Sequence, residues 1–327
     1  MAKIEPKKNL LVTLADRNYI RQAKQLFSSV YWNAGWKGDY MLLSHDIPEK
    51  ELKWFRDKGI LVKKCKPLSD KGWGSWPPAL LDKFYLFTPE FKKWEHVIYL
   101  DADIIVRASL DGLEKTKGIS AVSHFETIIN NFRNMKISSE KDTKRMINSL
   151  KEQGYNLKES FFNGGVIVFN TDIIQENTFN NLRKLVGYID SEERMLNIHF
   201  YKKWKKLPLV YNVHVNILRS CNFPVNKIKG IILHFASEYS KDKPWTFENP
   251  FHNEWKTNLE KAELIDLNKI PEGKKFDFYK NSSFLQLQYR IAFLMFSINK
   301  IMGKIGIFIK KINPGVYYKL KRIKDGK

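Results

Sequence analysis

A chain of 327 residues with 43% hydrophobic and 14% aromatic residues is long enough for one large α/β domain or two smaller ones, and too apolar to be disordered. Its two cysteines, Cys65 and Cys221, supply neither a disulfide framework nor a zinc-ligand pattern, which fits a reducing compartment. The net charge of +21 calls for an acidic partner or surface. Nucleic acid, anionic lipid and a phosphorylated substrate all qualify, and charge alone does not choose among them.

The first apolar run, residues 9–15, is shorter than a secretory core and is followed by Asp16 and Arg17, so it reads as a first strand rather than a signal peptide. Residues 19–31 carry a helical mixture of polar and apolar positions. Residues 39–44 read as a second strand, and Pro48 opens a helix through Phe55. A short strand at 60–62 follows Gly59. This alternation predicts crossovers and a mainly parallel sheet. Residues 72–78, rich in Gly, Trp and Pro, form a loop, and a helix then runs to Phe87. Strands are expected at 97–100, 119–122, 165–169 and 231–235, with one helix and a loop within 130–158 and a helix pair over 178–204. Composition changes only near residue 280, which favours one domain plus a tail.

The segment Tyr99-Leu100-Asp101-Ala102-Asp103-Ile104 delivers two carboxylates, one residue apart, to the end of an apolar strand. Strand alternation would put both on one face. Two like charges beside a buried strand are costly unless a cation neutralises them. Carboxylate oxygens suit Mg²⁺ or Mn²⁺, which also hold substrate phosphates. A strand ending in a solvated acidic turn would carry the same short motif, so its company matters. That company is Lys83 in Leu81-Asp82-Lys83-Phe84, the pair Gly164-Gly165 before an apolar strand, His234 after Ile231-Ile232-Leu233, and Lys243-Pro244-Trp245. Two glycines before a strand permit close backbone approach to a ligand.

In that order these elements, with the Thr-Leu-containing first strand and the Leu196-Asn197 helix, resemble glycosyltransferase family 8 over residues 9–245. The resemblance implies a GT-A fold, a Rossmann-like, mainly parallel sheet flanked by helices. It implies a UDP-sugar donor and Mn²⁺ (or Mg²⁺) ligated by Asp101, Asp103 and His234. One imidazole with two carboxylates suits Mn²⁺ better than Mg²⁺. Lys243 matches a diphosphate contact, and Lys83 a position near the donor's sugar and phosphate. Thr13, Leu14, Asn18 and Tyr19 map to the stretch that holds uracil and ribose, while Ala102 and Gly164 complete the donor-binding set. Asn163, Glu193 and His124 fall at the reaction centre, where this chain departs from the family. His124 stands where an Asp is common, with Glu126 two residues on, and Glu193 replaces an amide placed near the anomeric carbon. A carboxylate there could stabilise an oxocarbenium-like centre or attack it. Trp73 and Trp76 read as packing residues, and His45, His96, His199, His214 and His252 as structural ones.

Residues 281–327 hold ten basic residues against Asp325 alone. From 284 to 312 the chain is apolar, with Gln286, Arg290, Ser297, Lys300, Lys304 and Lys311 on one stripe of a helical projection. A spanning helix would place Lys300 and Lys304 near the bilayer centre, at about 2.5–3.5 kcal/mol each, so an interfacial amphipathic helix is expected, aided by the basic segment 319–327. The expected organisation is a catalytic domain at 1–262 and a membrane-associating region at 263–327, peripheral on the cytoplasmic face. The expected acceptor is a glycan, lipid-linked as in lipopolysaccharide. No groove-reading or stacking motif accompanies the charge, so nucleic acid is not expected as a partner. The rival readings are a nucleotidyltransferase on a sugar phosphate and a non-catalytic nucleic-acid or lipid-binding protein.

Overall fold

The computed structural model describes residues 8–72, 76–134 and 139–312, with the side chains of Asn134, Asn299, Lys300, Gly303, Lys304, Gly306 and Phe308 left out. Expectations for Trp73 and for the basic segment 319–327 lie outside the described residues. Among the described residues ten strands form two sheets. Strands β1 (Leu10–Ala15), β2 (Asp39–His45), β3 (Leu61–Cys65), β4 (His96–Leu100), β6 (Ile119–Thr127), β7 (Ser160–Asn170) and β8 (Trp204–Lys206) build the large sheet, in the order β3-β2-β1-β4-β7-β6-β8. Strands β5 (Ile104–Val106), β9 (Val213–His214) and β10 (Ile232–His234) build the small one, in the order β5-β10-β9. The large sheet is parallel except around β7, which runs antiparallel to both β4 and β6.

The helices are α1 (Ile20–Ser29), α2 (Glu49–Asp57), α3 (Ile128–Asn134), α4 (Glu140–Glu152), α5 (Thr178–Leu185), α6 (Glu192–His199), α7 (Val215–Ser220), α8 (His252–Lys261) and α9 (Phe278–Ile312). Every residue of β1 is buried, as expected of a strand covered on both faces. Alternation sorts its side chains. Leu11 joins a layer with Phe27 of α1, Phe55 of α2, the small sheet and Tyr289 of α9. Leu10 and Val12 join the opposite layer, with Phe84, Phe132 of α3 and Leu196 of α6.

Three expectations change. The segment expected as a helix up to Phe87 is a 3-10 strap, Pro78–Phe87. The polar stretch 130–158 holds two helices, α3 and α4, rather than one. Asp101 and Asp103 do not share a strand face, because the strand ends at Leu100 and a turn hands the chain from the large sheet to β5 of the small one. Their common orientation comes from that turn.

After α8 the chain returns across the domain. Tyr31 donates from its hydroxyl to the carbonyls of Asp266 (3.0 Å) and Lys269 (2.6 Å). Lys274 N–H donates to Asn33 O, and Ser109 N–H to Lys274 O. In α9, Leu285, Gln288, Tyr289 and Ala292 are buried. From Leu294 onward the described side chains are exposed, apart from the half-buried Ile309. Among the described residues no helix is long and apolar enough to cross a membrane.

Candidate active site

The turn after β4 lies at the C-terminal ends of the parallel strands, where open α/β sheets bind ligands. A cleft of about 480 Å³ opens there, lined by Leu14, Asn18, Tyr19, Trp76, Ala102 and Trp245 together with Asp101, Asp103 and Lys243. Tyr19 and Trp245 meet edge to face at 5.8 Å. Trp76 is thus a wall of the cleft rather than a packing residue. Thr13 lies beneath the cleft: it is fully buried, and its hydroxyl donates to Leu100 O at 2.7 Å.

Each acid is held by one lysine. Lys83, 1% exposed, reaches up from the strap to Asp101 Oδ1 (3.2 Å), Glu192 Oε1 (3.3 Å) and Gly164 O (3.1 Å). Burial would lower its pKa, but Asp101, Glu192 and Glu193 outweigh burial and raise it. Tyr99, two residues before Asp101, donates to the same Oδ1 at 2.7 Å. Lys243 Nζ sits 2.6 Å from Asp103 Oδ2 and donates to Phe235 O at 3.0 Å. Burial would raise the Asp103 carboxyl; Lys243 and His234 overcome it and hold the group well below the ordinary carboxylate range.

The remaining oxygens turn toward His234, whose Nε2 is 3.2 Å from Asp103 Oδ1 and 3.8 Å from Asp101 Oδ2. The three residues offer ligand atoms within 4.8 Å of one another. A chain of hydrogen bonds decides which imidazole nitrogen carries the proton. Gly164 N–H and Asn163 Nδ2 both donate to Glu193 Oε1, at 2.7 and 2.9 Å. Asn163 Oδ1 therefore accepts, from Gly165 N–H at 3.0 Å and from Asn212 Nδ2 at 2.8 Å. This leaves Asn212 Oδ1 to accept from His234 Nδ1 at 2.9 Å. His234 Nδ1 thus carries a proton, so the ring turns Nε2 toward the two carboxylates and would meet a metal ion there through the Nε2 lone pair. Two carboxylate oxygens and an imidazole nitrogen converging on one point call for positive charge between them, from a proton or a metal ion. Two oxygens and one imidazole nitrogen, with the Asn212 amide fixing the ring, form a donor set that fits Mn²⁺. Gly165 makes the approach possible, since a Cβ there would collide with the His234 ring and lie 2.9 Å from Asp101 Oδ2.

Helix α6 supplies the other wall. Ser191 caps it by accepting from Arg194 N–H. Asn197 brackets β7, accepting from Phe162 N–H and donating to Phe162 O, both at 2.9 Å, and it also donates to Glu193 O. Arg194 is fully buried, yet its guanidinium is satisfied by Asp190 Oδ1 (2.6 Å), Asn131 Oδ1 (3.0 Å) and Asn131 O (2.7 Å). Beyond the acids, His124, His214 and His234 form a row of rings with centroids 5.3 Å apart at each step. Burial would lower the His124 pKa, but the Glu126 carboxylate 3.7 Å away and the charge of Glu193 raise it. Burial and the two neighbouring rings push His214 well below the ordinary histidine range.

The structure therefore gathers Lys83, Asp101, Asp103, Asn163, Gly164, Glu193, His234 and Lys243 around one point, with Leu14, Asn18, Tyr19 and Ala102 in the adjoining cleft. It adds Tyr99, Glu192, Asn212 and His214. Tyr99 could have been found from its two-residue offset to Asp101 on an alternating strand, and Glu192 from its place before Glu193. Asn212 and His214 carry no local signal.

The family model for glycosyl transferase family 8 matches residues 10–249. Galactinol synthase 1 of Ajuga reptans is 23% identical over 257 residues, which cover 73% of this chain and 70% of the relative. Among solved structures, the galactosyltransferase LgtC in complex with donor and acceptor sugar analogs superposes with a TM-score of 0.55 at 16% identity, over 83% of this chain and 99% of that one. The WbbM bifunctional glycosyltransferase gives a TM-score of 0.58 at 18% identity over 82% of this chain, which spans 53% of the WbbM chain. The chain belongs to glycosyl transferase family 8, with the GT-A fold of its structural neighbours, and is a glycosyltransferase.

Proposed function

We propose that the protein transfers a hexose from a UDP-sugar to a glycan acceptor carried on a lipid, with Mn²⁺ held by Asp101, Asp103 and His234. The observation that carries the reading is the convergence of His234 Nε2, Asp103 Oδ1 and Asp101 Oδ2 on one point, with the ring held from Nδ1 by Asn212. The bound ion supplies Lewis-acid stabilisation of the leaving diphosphate. Lys243 lies beside the same acids and can turn its ammonium to the diphosphate oxygens. Leu14, Asn18 and Tyr19 face the uracil and ribose, and Thr13 supports the strand beneath them. Lys83 fixes Asp101 and Glu192 in place. Glu193, aligned by Gly164 N–H and Asn163 Nδ2, holds a negative charge beside the anomeric carbon as positive charge develops there. His124, lying next to His214 on the acceptor side, stands near the incoming hydroxyl.

Thermal-shift titration with UDP-glucose, UDP-galactose and UDP-N-acetylhexosamines, with and without Mn²⁺, tests the reading. One of these donors should stabilise the protein more with the ion, and Asp103→Asn should remove the ion-dependent part. Equal shifts with and without Mn²⁺ would refute the metal assignment.

The exposed apolar side chains of α9 beyond Leu294, and the ten basic residues in 281–327, support a peripheral site on an anionic, cytoplasmic membrane face. A chain ending at Ser297 keeps Leu285, Tyr289 and Ala292 in the core and should no longer sediment with anionic liposomes. Retained sedimentation would refute the α9 assignment.

A further inference from the structure

Phe125 is the one bulky aromatic among the described non-glycine residues with positive φ. It stands at φ +63°, whereas the others are Asp46, Lys202 and Asn222. A ring-bearing residue held in the left-handed region marks a place where the surroundings, or function, retain strain. Phe125 follows His124 directly, is 37% exposed, and does not line the nucleotide cleft. One face of its ring is supported: Tyr289 stacks on it at 4.7 Å and 23°, and Phe293 leans on it at 4.8 Å. Tyr289 in turn accepts from His214 N–H at 2.8 Å, and His214 touches both His124 and His234. Helix α9 is thereby tied to the reaction centre rather than appended to the domain.

Tyr289, Phe293 and Phe296 follow one another along α9 at ring spacings of 6.1 and 6.4 Å. They run from the buried part of the helix to Phe296, 38% exposed, where α9 leaves the body. There Leu294, Met295, Ile298, Met302 and Ile305 expose apolar side chains, in a segment whose charge is almost wholly positive. An apolar track that begins beside His124 and ends on a cationic, apolar helix is complementary to an amphiphile whose sugar and hydrocarbon meet at one end.

We propose that Phe125 is the platform for the sugar ring of a glycolipid acceptor, and that Phe293 and Phe296, backed by the buried Tyr289, carry the first part of its hydrocarbon. This rests on the glycosyl-transfer reading above. The ring's C–H face stacks on the exposed face of Phe125, which places a sugar hydroxyl beside His124. The strained backbone aims the ring at that position.

The test uses the full chain saturated with UDP and Mn²⁺, titrated with n-octyl β-D-glucopyranoside and n-octyl β-D-galactopyranoside below their micelle concentrations. The methyl glycosides of the same sugars serve as controls. At least one octyl glycoside should bind about tenfold tighter than its methyl counterpart, which is what burying about two methylene groups supplies. Phe125→Asn suits the left-handed backbone, which offsets part of the lost ring stacking, and should abolish that preference while the protein stays folded at the assay temperature. Phe125→Trp should keep the preference. Equal binding of octyl and methyl glycosides to the wild type overturns the proposal, and so does an undiminished preference in F125N. A large drop in the F125N melting temperature, joined to loss of the preference in F125W, would mark Phe125 as a packing residue and overturn it too. Failure of UDP and Mn²⁺ to bind at all strikes instead at the glycosyl-transfer reading.

Discussion

On the proposed metal assignment Asn212 sets the orientation of the His234 ring, and replacing it by leucine isolates its contribution. Asn212 is fully buried and makes two hydrogen bonds, accepting from His234 Nδ1 at 2.9 Å and donating to Asn163 Oδ1 at 2.8 Å. Asn212→Leu keeps the volume and removes both. The Nδ1–H is left without its acceptor in the core, at about 1–3 kcal/mol. The imidazole can then rotate, or move its proton to Nε2, and either change withdraws a lone pair from the carboxylates. Loss of a hydrogen bond that orients a metal-binding ring typically costs 10–100-fold in metal affinity, or about 1.4–2.7 kcal/mol. Titration of free Mn²⁺ by electron paramagnetic resonance, at saturating UDP, reads this directly. Asn212→Asp sharpens the comparison. Its carboxylate still accepts from Nδ1–H and should preserve Mn²⁺ affinity, but it cannot donate to Asn163 Oδ1, so the alignment of Glu193 and turnover should suffer. If N212L bound Mn²⁺ within about threefold of the wild type, the hydrogen-bond argument for the His234 tautomer would fail.

Two further predictions concern the frame of the site. Gly165→Ala places a methyl against the His234 ring and beside Asp101 Oδ2. The Mn²⁺-dependent part of UDP binding, measured by calorimetry, should fall at least about tenfold, and an unchanged value would contradict the packing. Asp82 is fully buried in the strap beside Lys83 and bonds His45 Nδ1 at 2.6 Å. Burial, only partly opposed by His45, pushes its carboxyl up to about 6. Because the folded value exceeds the unfolded one, the stability Asp82 contributes is full below about pH 4 and is lost as pH rises through 6. Between pH 4 and 7, Asp82→Asn should therefore gain up to about 3 kcal/mol on the wild type in urea unfolding. Parallel pH curves for the two proteins would refute the assignment.

Much of the candidate site was legible because each piece is short and contiguous. Asp101-Ala102-Asp103 follows an apolar run, Gly164-Gly165 opens another, and His234 and Lys243 stand nine residues apart beside a third. Local patterning also located most of the strands and the helices α1 and α2, since burial on two faces or one imposes its period on adjacent residues. It erred at the acidic motif, where alternation predicted a shared strand face and a turn between two sheets produced the alignment instead. A short carboxylate pair reads alike in either setting.

Asn212, His214 and Tyr289 were beyond local reading. Asn212 stands just before the two-residue strand β9, which reaches His234 only because β9 pairs with β10. Tyr289 reaches His214 from 75 residues away, through the return of α9. Chemistry that depends on residue type at close spacing is written along the chain. A proton's place on His234 and the ring beneath Phe125 depend on contacts between distant segments, and those exist only once both sheets and α9 have packed around a common core.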